Sequence, residues 1–167
     1  MKRREFMRLA GGGVFVFFTV GEPRERLEAQ QRSGGRDYPT DFNAYLRIAE
    51  DGKVTGFAGK AELGQGTQTA LAQIAAEELD VALDRVDIVM GDTALCPWDM
   101  GTFGSRSIKY FGPALRQAAA EARAVLIELA SEHLRLPVVQ LATKDGFVVE
   151  KVNLQKRVSY GALIKGK

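Results

Sequence analysis

Two short glycine-bearing runs carry most of the chemistry open to this sequence. Gly64-Gln65-Gly66-Thr67-Gln68-Thr69 and Gly101-Thr102-Phe103-Gly104-Ser105-Arg106-Ser107 each stand immediately before a stretch of helical period. A helix start presents backbone N–H groups without intrahelical partners and the positive end of the helix dipole, and glycine lets a ligand approach the backbone closely. Both runs are therefore candidate anion sites. Neither fits a nucleotide fingerprint: the first lacks the third glycine of the dinucleotide motif, and the chain has no Gly-Lys-Ser/Thr of a phosphate loop. On spacing alone, each run reads as a turn with a helix cap before it reads as a ligand cradle.

The side chains in these runs add to that picture. The amide of Gln65 offers one acceptor and two donors in a plane, an edge that can pair with a heterocycle of complementary pattern. Ser105 and Ser107 supply hydroxyls and Arg106 a guanidinium around a helix start, which suits a phosphate. The alternative is that one serine caps the helix while Arg106 is solvated. Between the runs, Cys96 has no neighbouring His or second Cys and reads as a small buried hydrophobe. Trp98 and Asp99, in the same loop, either face a ligand or anchor the loop. His133 ends a long helix, where a cation suits the dipole. Glu77, Glu78, Asp80 and Asp84 read as a solvated face, with Glu77 and Glu78 alternatively an acid/base pair. A single Cys and a single His exclude a four-thiolate iron–sulfur cluster, a Cys/His zinc site and an internal disulfide within this chain.

The elements that must position these residues follow from periodicity. Phe42, Ala44, Leu46 and Ile48 alternate with polar positions, and after a turn at 50–53 residues 54–60 return as a second strand of a hairpin. Thr67 opens a helix whose apolar face is Leu71, Ile74, Ala75 and Leu79. Residues 83–90 read as a strand and 91–104 as a loop. Residues 105–133 form a long helical stretch striped by Leu115, Ala119, Ala122, Leu126, Leu129 and Ala130, in which Pro113 kinks the helix or starts its regular part. Asp145-Gly146 marks a second hairpin, and Ser159 caps a short C-terminal helix. The order ββαβαββα predicts an α+β domain over residues 41–167, with helices packed on a mixed sheet.

The N-terminal residues differ in character. Arg3-Arg4, followed by an almost uncharged apolar and glycine run at 9–20, makes residues 1–21 resemble a twin-arginine export signal. Gly11, Gly12 and Gly13 argue against a stable soluble helix there, and the run is short of the about 20 residues of a membrane span. The expected destination is the periplasm, with the segment able to stay attached to the membrane because no good cleavage site follows. Residues 22–40, rich in Arg, Glu, Gln, Gly and Ser, read as a linker. The chain has 167 residues, of which 46% are hydrophobic and 26% charged, an ordinary globular composition. Residues 1–36 carry eight Lys/Arg against four Glu, and the remainder fifteen against seventeen acids, so the folded part offers no basic run for nucleic acid.

Four motifs in order carry a resemblance. Lys60-Ala61-Glu62-Leu63-Gly64-Gln65-Gly66-Thr67, Ala76-Glu77-Glu78-Leu79-Asp80-Val81, Val89-Met90-Gly91-Asp92-Thr93 and Gly101-Thr102-Phe103-Gly104-Ser105-Arg106-Ser107 resemble the molybdopterin-binding large subunits of the xanthine dehydrogenase and aldehyde oxidase family. The nearest branch is the exported one of isoquinoline oxidoreductase and nicotinate dehydrogenase large subunits. The resemblance implies that Gln65, within Gly64-Gln65-Gly66, hydrogen-bonds a pterin. It implies that Gly104, Ser105, Arg106 and Ser107 hold the cofactor's phosphate, and that Phe103 and Gly104 line a pocket for a flat or apolar substrate. Ile108 stands where relatives commonly carry Thr, removing one hydroxyl. The implied cofactor is a molybdenum-bearing molybdopterin, in plain or dinucleotide form. The implied reaction is water-dependent hydroxylation of an aldehyde or N-heteroaromatic carbon, with electrons leaving through iron–sulfur clusters on a small partner subunit. Nothing in 41–167 matches the family's catalytic glutamate. The chain is therefore expected to be the first cofactor-binding portion of a large subunit, truncated or completed by a separate polypeptide. The competing expectation is an exported non-catalytic α+β binding or assembly module.

Overall fold

A computed structural model describes the backbone of residues 14–19 and 43–165 and the side chains of 46–165. The twin-arginine pair and the expected linker lie outside the described residues.

The expected first hairpin is β2 (Asn43–Ile48) and β3 (Val54–Ala58), paired antiparallel with Ile48 opposite Val54. Leu46 and Ile48, two residues apart and so on one face of the pleat, are fully buried together with Val54. Helix α1 (Thr67–Leu79) follows β3 and buries Leu71, Ala72, Ala75, Ala76 and Leu79. The chain then returns as β4 (Val86–Met90), parallel to β3 with Val54 opposite Val86. The expected strand start at residue 83 is instead a 3-10 turn, Leu83–Arg85.

Two strands escaped the expected ββαβαββα order. β1 (Val14–Thr19) pairs antiparallel with β2 and completes a sheet of order β1-β2-β3-β4. It lies within the apolar run assigned to the export address. Its sequence, Val-Phe-Val-Phe-Phe-Thr, is β-branched and aromatic throughout, the composition that favours a strand over a helix. The other is β7 (Asn153–Ser159), which joins β5 (Leu141–Lys144) and β6 (Phe147–Glu150) in an antiparallel sheet. Most of β7 is exposed and polar, so no alternation marks it; the Arg157 guanidinium lies 4.6 Å from the centre of the Phe147 ring on the neighbouring strand.

The long helical stretch is a π turn, Ser107–Phe111, running into α2 (Gly112–Leu134). Pro113 falls in the first turn of α2, where a missing N–H costs nothing, so it starts the regular helix. The buried face of α2 is largely alanine, and one core cluster links α1, α2 and both sheets. Glu78 fixes α1 against α2, accepting from Arg116 Nε at 2.9 Å and Arg123 Nη2 at 2.7 Å. Asp80 accepts a hydrogen bond from the Thr143 hydroxyl. The acidic residues expected as a solvated face thus include two with structural partners, while Glu77 and Asp84 are exposed. Ser159 caps α3 (Tyr160–Ile164) as expected, accepting from Ala162 N–H at 3.2 Å. Among the described residues no helix is long and apolar enough to cross a membrane.

Candidate functional site

The sequence between β3 and α1 must turn sharply, and Gly66 in the left-handed region (φ 77°) provides the last corner before the helix. The expected anion site at this helix start is already filled from within the chain. Glu62 reaches back over the loop: Oε1 accepts from the N–H of Gly64 at 2.7 Å and of Gly66 at 3.0 Å, and Oε2 from the N–H of Gln68 at 2.9 Å. These N–H donors, Gln68 first and then Gly66, favour the charged form and hold the Glu62 carboxyl below the ordinary carboxylate range. Gln65 is held by its own loop as well. Its Oε1 accepts from Leu63 N–H at 2.6 Å and its Nε2 donates to Ala61 O at 2.9 Å. The amide retains one further N–H on Nε2.

The loop between β4 and the π turn is pinned against this first loop. Lys60, fully buried two residues past the end of β3, places Nζ 2.7 Å from Asp99 Oδ1 and 2.9 Å from Gly101 O. Asp99 Oδ1 also accepts from Gly101 N–H at 2.8 Å, and Ala61 N–H donates to Thr102 Oγ1 at 2.7 Å. Asp99 therefore anchors the loop, while Trp98 is exposed. A side chain at position 59 would place Cβ 2.3 Å from Pro97 O, so only glycine lets the two segments approach this closely. Cys96 donates its thiol to Val89 O at 3.3 Å, and burial pushes that thiol above its ordinary value, as suits a packing residue.

Both glycine-bearing runs consequently meet at one open cleft of about 530 Å³. Gln65 and Thr67 line one side; Thr102, Phe103, Gly104, Ser105 and Ser107 line the other; Leu63 and Ile108 add apolar wall. Thr67 and Ser107 are buried, whereas Phe103 and Ser105 stand on the exposed rim. Ser107, Ile108 and Lys109 precede Tyr110, whose N–H makes an α-type bond to Arg106 O at 2.9 Å as the helical stretch begins, so a helix start faces the cleft. No carboxylate lines it. Arg106 is not among the lining residues: its guanidinium lies 5.7 Å from the centre of the Phe103 ring and 5.9 Å from that of Tyr110. Gly64 and Gly66 shape the loop without lining the cleft. His133 is exposed in the last turn of α2, far along the helix from this end. Among the described residues no group of three or more His, Cys, Asp or Glu could hold a metal ion.

Residues 2–167 match the molybdopterin cofactor-binding domain family. The chain belongs to that family. It is 37% identical over 123 residues to a nicotinate dehydrogenase subunit of Pseudomonas putida, an alignment covering 74% of this chain and 10% of that protein. It is 34% identical over 130 residues to the beta subunit of isoquinoline 1-oxidoreductase from Brevundimonas diminuta, covering 73% and 16% respectively. Among solved structures, reconstituted CO dehydrogenase from Oligotropha carboxidovorans superposes with a TM-score of 0.65 at 32% identity, over 72% of this chain and 15% of that one. The chain thus spans between a tenth and a fifth of the length of these relatives. The resemblance borne by the four motifs holds at the level of family and α+β fold.

The donor set of the cleft fits the family's cofactor. Hydroxyls and helix-start N–H groups suit a phosphate, the remaining Gln65 N–H suits a heterocycle, and Phe103, Leu63 and Ile108 suit a flat ring system. Two residues that build this cleft, Lys60 and Glu62, were not singled out by sequence reasoning. Lys60 left one usable signal, a cation within an otherwise apolar strand end.

Proposed function

We propose that this chain forms the first cofactor-binding portion of a molybdenum hydroxylase large subunit. The observation that carries the reading is the convergence of Gln65 and the 101–107 segment, some forty residues apart, on one cleft lined by neutral donors and apolar wall. Bound there, a molybdopterin would supply the metal centre for water-dependent hydroxylation of an aldehyde or N-heteroaromatic carbon. This chain's residues bind and orient. Gln65 offers its free amide N–H to the pterin, Ser105, Ser107 and the start of the π turn offer donors to the phosphate, and Phe103 gives a flat apolar face beside the substrate. Arg106, stacked between two rings, contributes positive potential at the rim. The length of the relatives supports completion of the catalytic centre by further sequence, and electron transfer falls to an iron–sulfur partner because this chain has one cysteine. Arg3-Arg4 would direct the protein to the periplasm as an uncleaved address, since residues 14–19 of the run behind them are β1 of the sheet.

The test is cofactor retention. Gln65→Ala and Ser107→Ala in the full chain should each lower bound pterin, read as fluorescence of its oxidation product alongside molybdenum content, by about tenfold under competition, the effect of one or two lost hydrogen bonds. Retention equal to the wild type in both variants would refute the assignment of the cleft.

A further inference from the structure

Glu62 lies three residues before Gln65 and outside the cleft lining, and it has no counterpart among the ligand-binding roles above. Its carboxylate gathers three backbone N–H groups of one loop, at 2.7, 3.0 and 2.9 Å, from Gly64, Gly66 and Gln68. The loop they belong to has two left-handed corners, Gly64 (φ 95°) and Gly66 (φ 77°), and little apolar burial to hold it. An exposed loop with two glycine corners has many conformations of similar energy, and fixing it costs conformational entropy that something must offset. Three charge-assisted bonds from a single side chain do that. They fix the residue between the corners, Gln65, whose amide then closes onto Leu63 N–H and Ala61 O and retains a single N–H.

We propose that Glu62 is a positioning residue for the cofactor cleft: it locks the Gly64-Gln65-Gly66 loop so that Gln65 presents one amide N–H, in one orientation, before any ligand arrives. The inference rests on the proposed cofactor role of Gln65. The N–H groups before and at the start of α1 are taken up from within the chain, and an anion brought there would face the Glu62 carboxylate.

The groups that act on Glu62 are first the amides of Gln68 and Gly66, opposed by desolvation, and then those of Gly64 and Gln65. The sign of the pH dependence follows. A carboxylate stabilised in the folded loop supports it above the ordinary carboxylate range and releases it as pH falls through the lowered folded value.

The experiment uses the full chain, wild type and Glu62→Gln, Glu62→Asp and Gln65→Ala variants. Amide proton shifts of Gly64, Gly66 and Gln68 are followed from pH 7 downward by nuclear magnetic resonance, and retained pterin is measured over the same range. In the wild type the three amides should titrate together with one midpoint below the ordinary carboxylate range, and pterin should be lost across it. Glu62→Gln should abolish the shared titration and lower pterin about tenfold at neutral pH with an unchanged far-ultraviolet spectrum. Glu62→Asp, which keeps the charge, should recover part of both. Full pterin in Glu62→Gln beside a loss in Gln65→Ala overturns the positioning role and leaves the cofactor reading standing. Full pterin in both variants overturns the cofactor role of Gln65 and the positioning role with it. Three amides that titrate independently overturn the loop lock itself.

Discussion

Replacing either member of the Lys60–Asp99 pair should destabilise the domain far more than its position beside a loop suggests. The side chains are 1% and 4% exposed and their charged atoms are 2.7 Å apart, so both charges were desolvated on folding and each is the other's principal compensation. Lys60→Met leaves the Asp99 carboxylate buried with only the Gly101 N–H, and removing one partner of such a pair costs about 3–5 kcal/mol. Asp99→Asn keeps the shape and an acceptor for Lys60, so its cost is nearer that of one charged hydrogen bond, about 1.5–3 kcal/mol. The double variant Lys60→Met with Asp99→Leu removes both charges and orphans only the Gly101 groups, which limits its cost to roughly 1–3 kcal/mol. It should therefore be no worse than Lys60→Met alone, a coupling of about 2 kcal/mol or more. Urea unfolding of the wild type, Lys60→Met, Asp99→Leu, which strands the Lys60 ammonium at a similar cost of about 3–5 kcal/mol, and the double variant gives the cycle, and for a domain of this size Lys60→Met should lower Tm by on the order of 10 °C. Additive single effects, or single costs below about 1 kcal/mol, would show that the pair does not clamp the two loops.

Tyr160 is buried, donates its hydroxyl to Leu79 O at 2.7 Å, and burial pushes that hydroxyl above its ordinary value. With the folded value raised, its contribution is complete below about pH 10 and declines as pH rises toward the folded value. Tyr160→Phe should accordingly cost about 1–2 kcal/mol at neutral pH and flatten the alkaline loss of stability, and an equally steep loss in the variant would refute the role. Replacing Arg3 and Arg4 together with Lys should retain a reporter fusion in the cytoplasm; unchanged export would remove the twin-arginine reading.

What was legible in the sequence was what short-range pattern encodes. The hairpin at 46–54, both long helices, the Asp145-Gly146 turn and the Ser159 cap all announce themselves within a few residues through alternation, period or a turn pair. β7 does not, because its sheet partner is apolar while it is not, and pairing is then specified by the turn and by Arg157 over Phe147. Gln65, Phe103, Ser105 and Ser107 were found as local runs before helices, and the structure brings them to one cleft. Arg106 was expected to turn toward a ligand. Its guanidinium lies near Phe103 because the turn through the left-handed Gly104 and Ser105 folds Arg106 back, with its N–H on Phe103 O at 3.2 Å, and near Tyr110 because the two are four residues apart on the helical turn. Glu62 was overlooked because capping signatures place the acidic residue inside the first turn, whereas this one caps from before the loop.

The walls of the cleft are therefore unequal in a way that bears on binding. The inner part is built by contacts that exist without a ligand: the Lys60–Asp99 pair, the Ala61–Thr102 hydrogen bond and the close approach at Gly59. Its width is set during folding, so a ligand there does not spend interaction energy on ordering the chain. The outer rim is tied within its own turn instead, by Arg106 N–H to Phe103 O at 3.2 Å and by the Arg106 guanidinium over the Phe103 ring. Phe103 is half exposed and Ser105 stands in the left-handed region beside Gly104. On the proposed cofactor reading, the floor tied across two loops would hold the ligand, while the lip, tied within one turn, carries the aromatic face beside it. Substitutions at Lys60, Asp99 or Gly59 should then act on folding and retention together, and substitutions at Phe103 on what is admitted beside the cofactor.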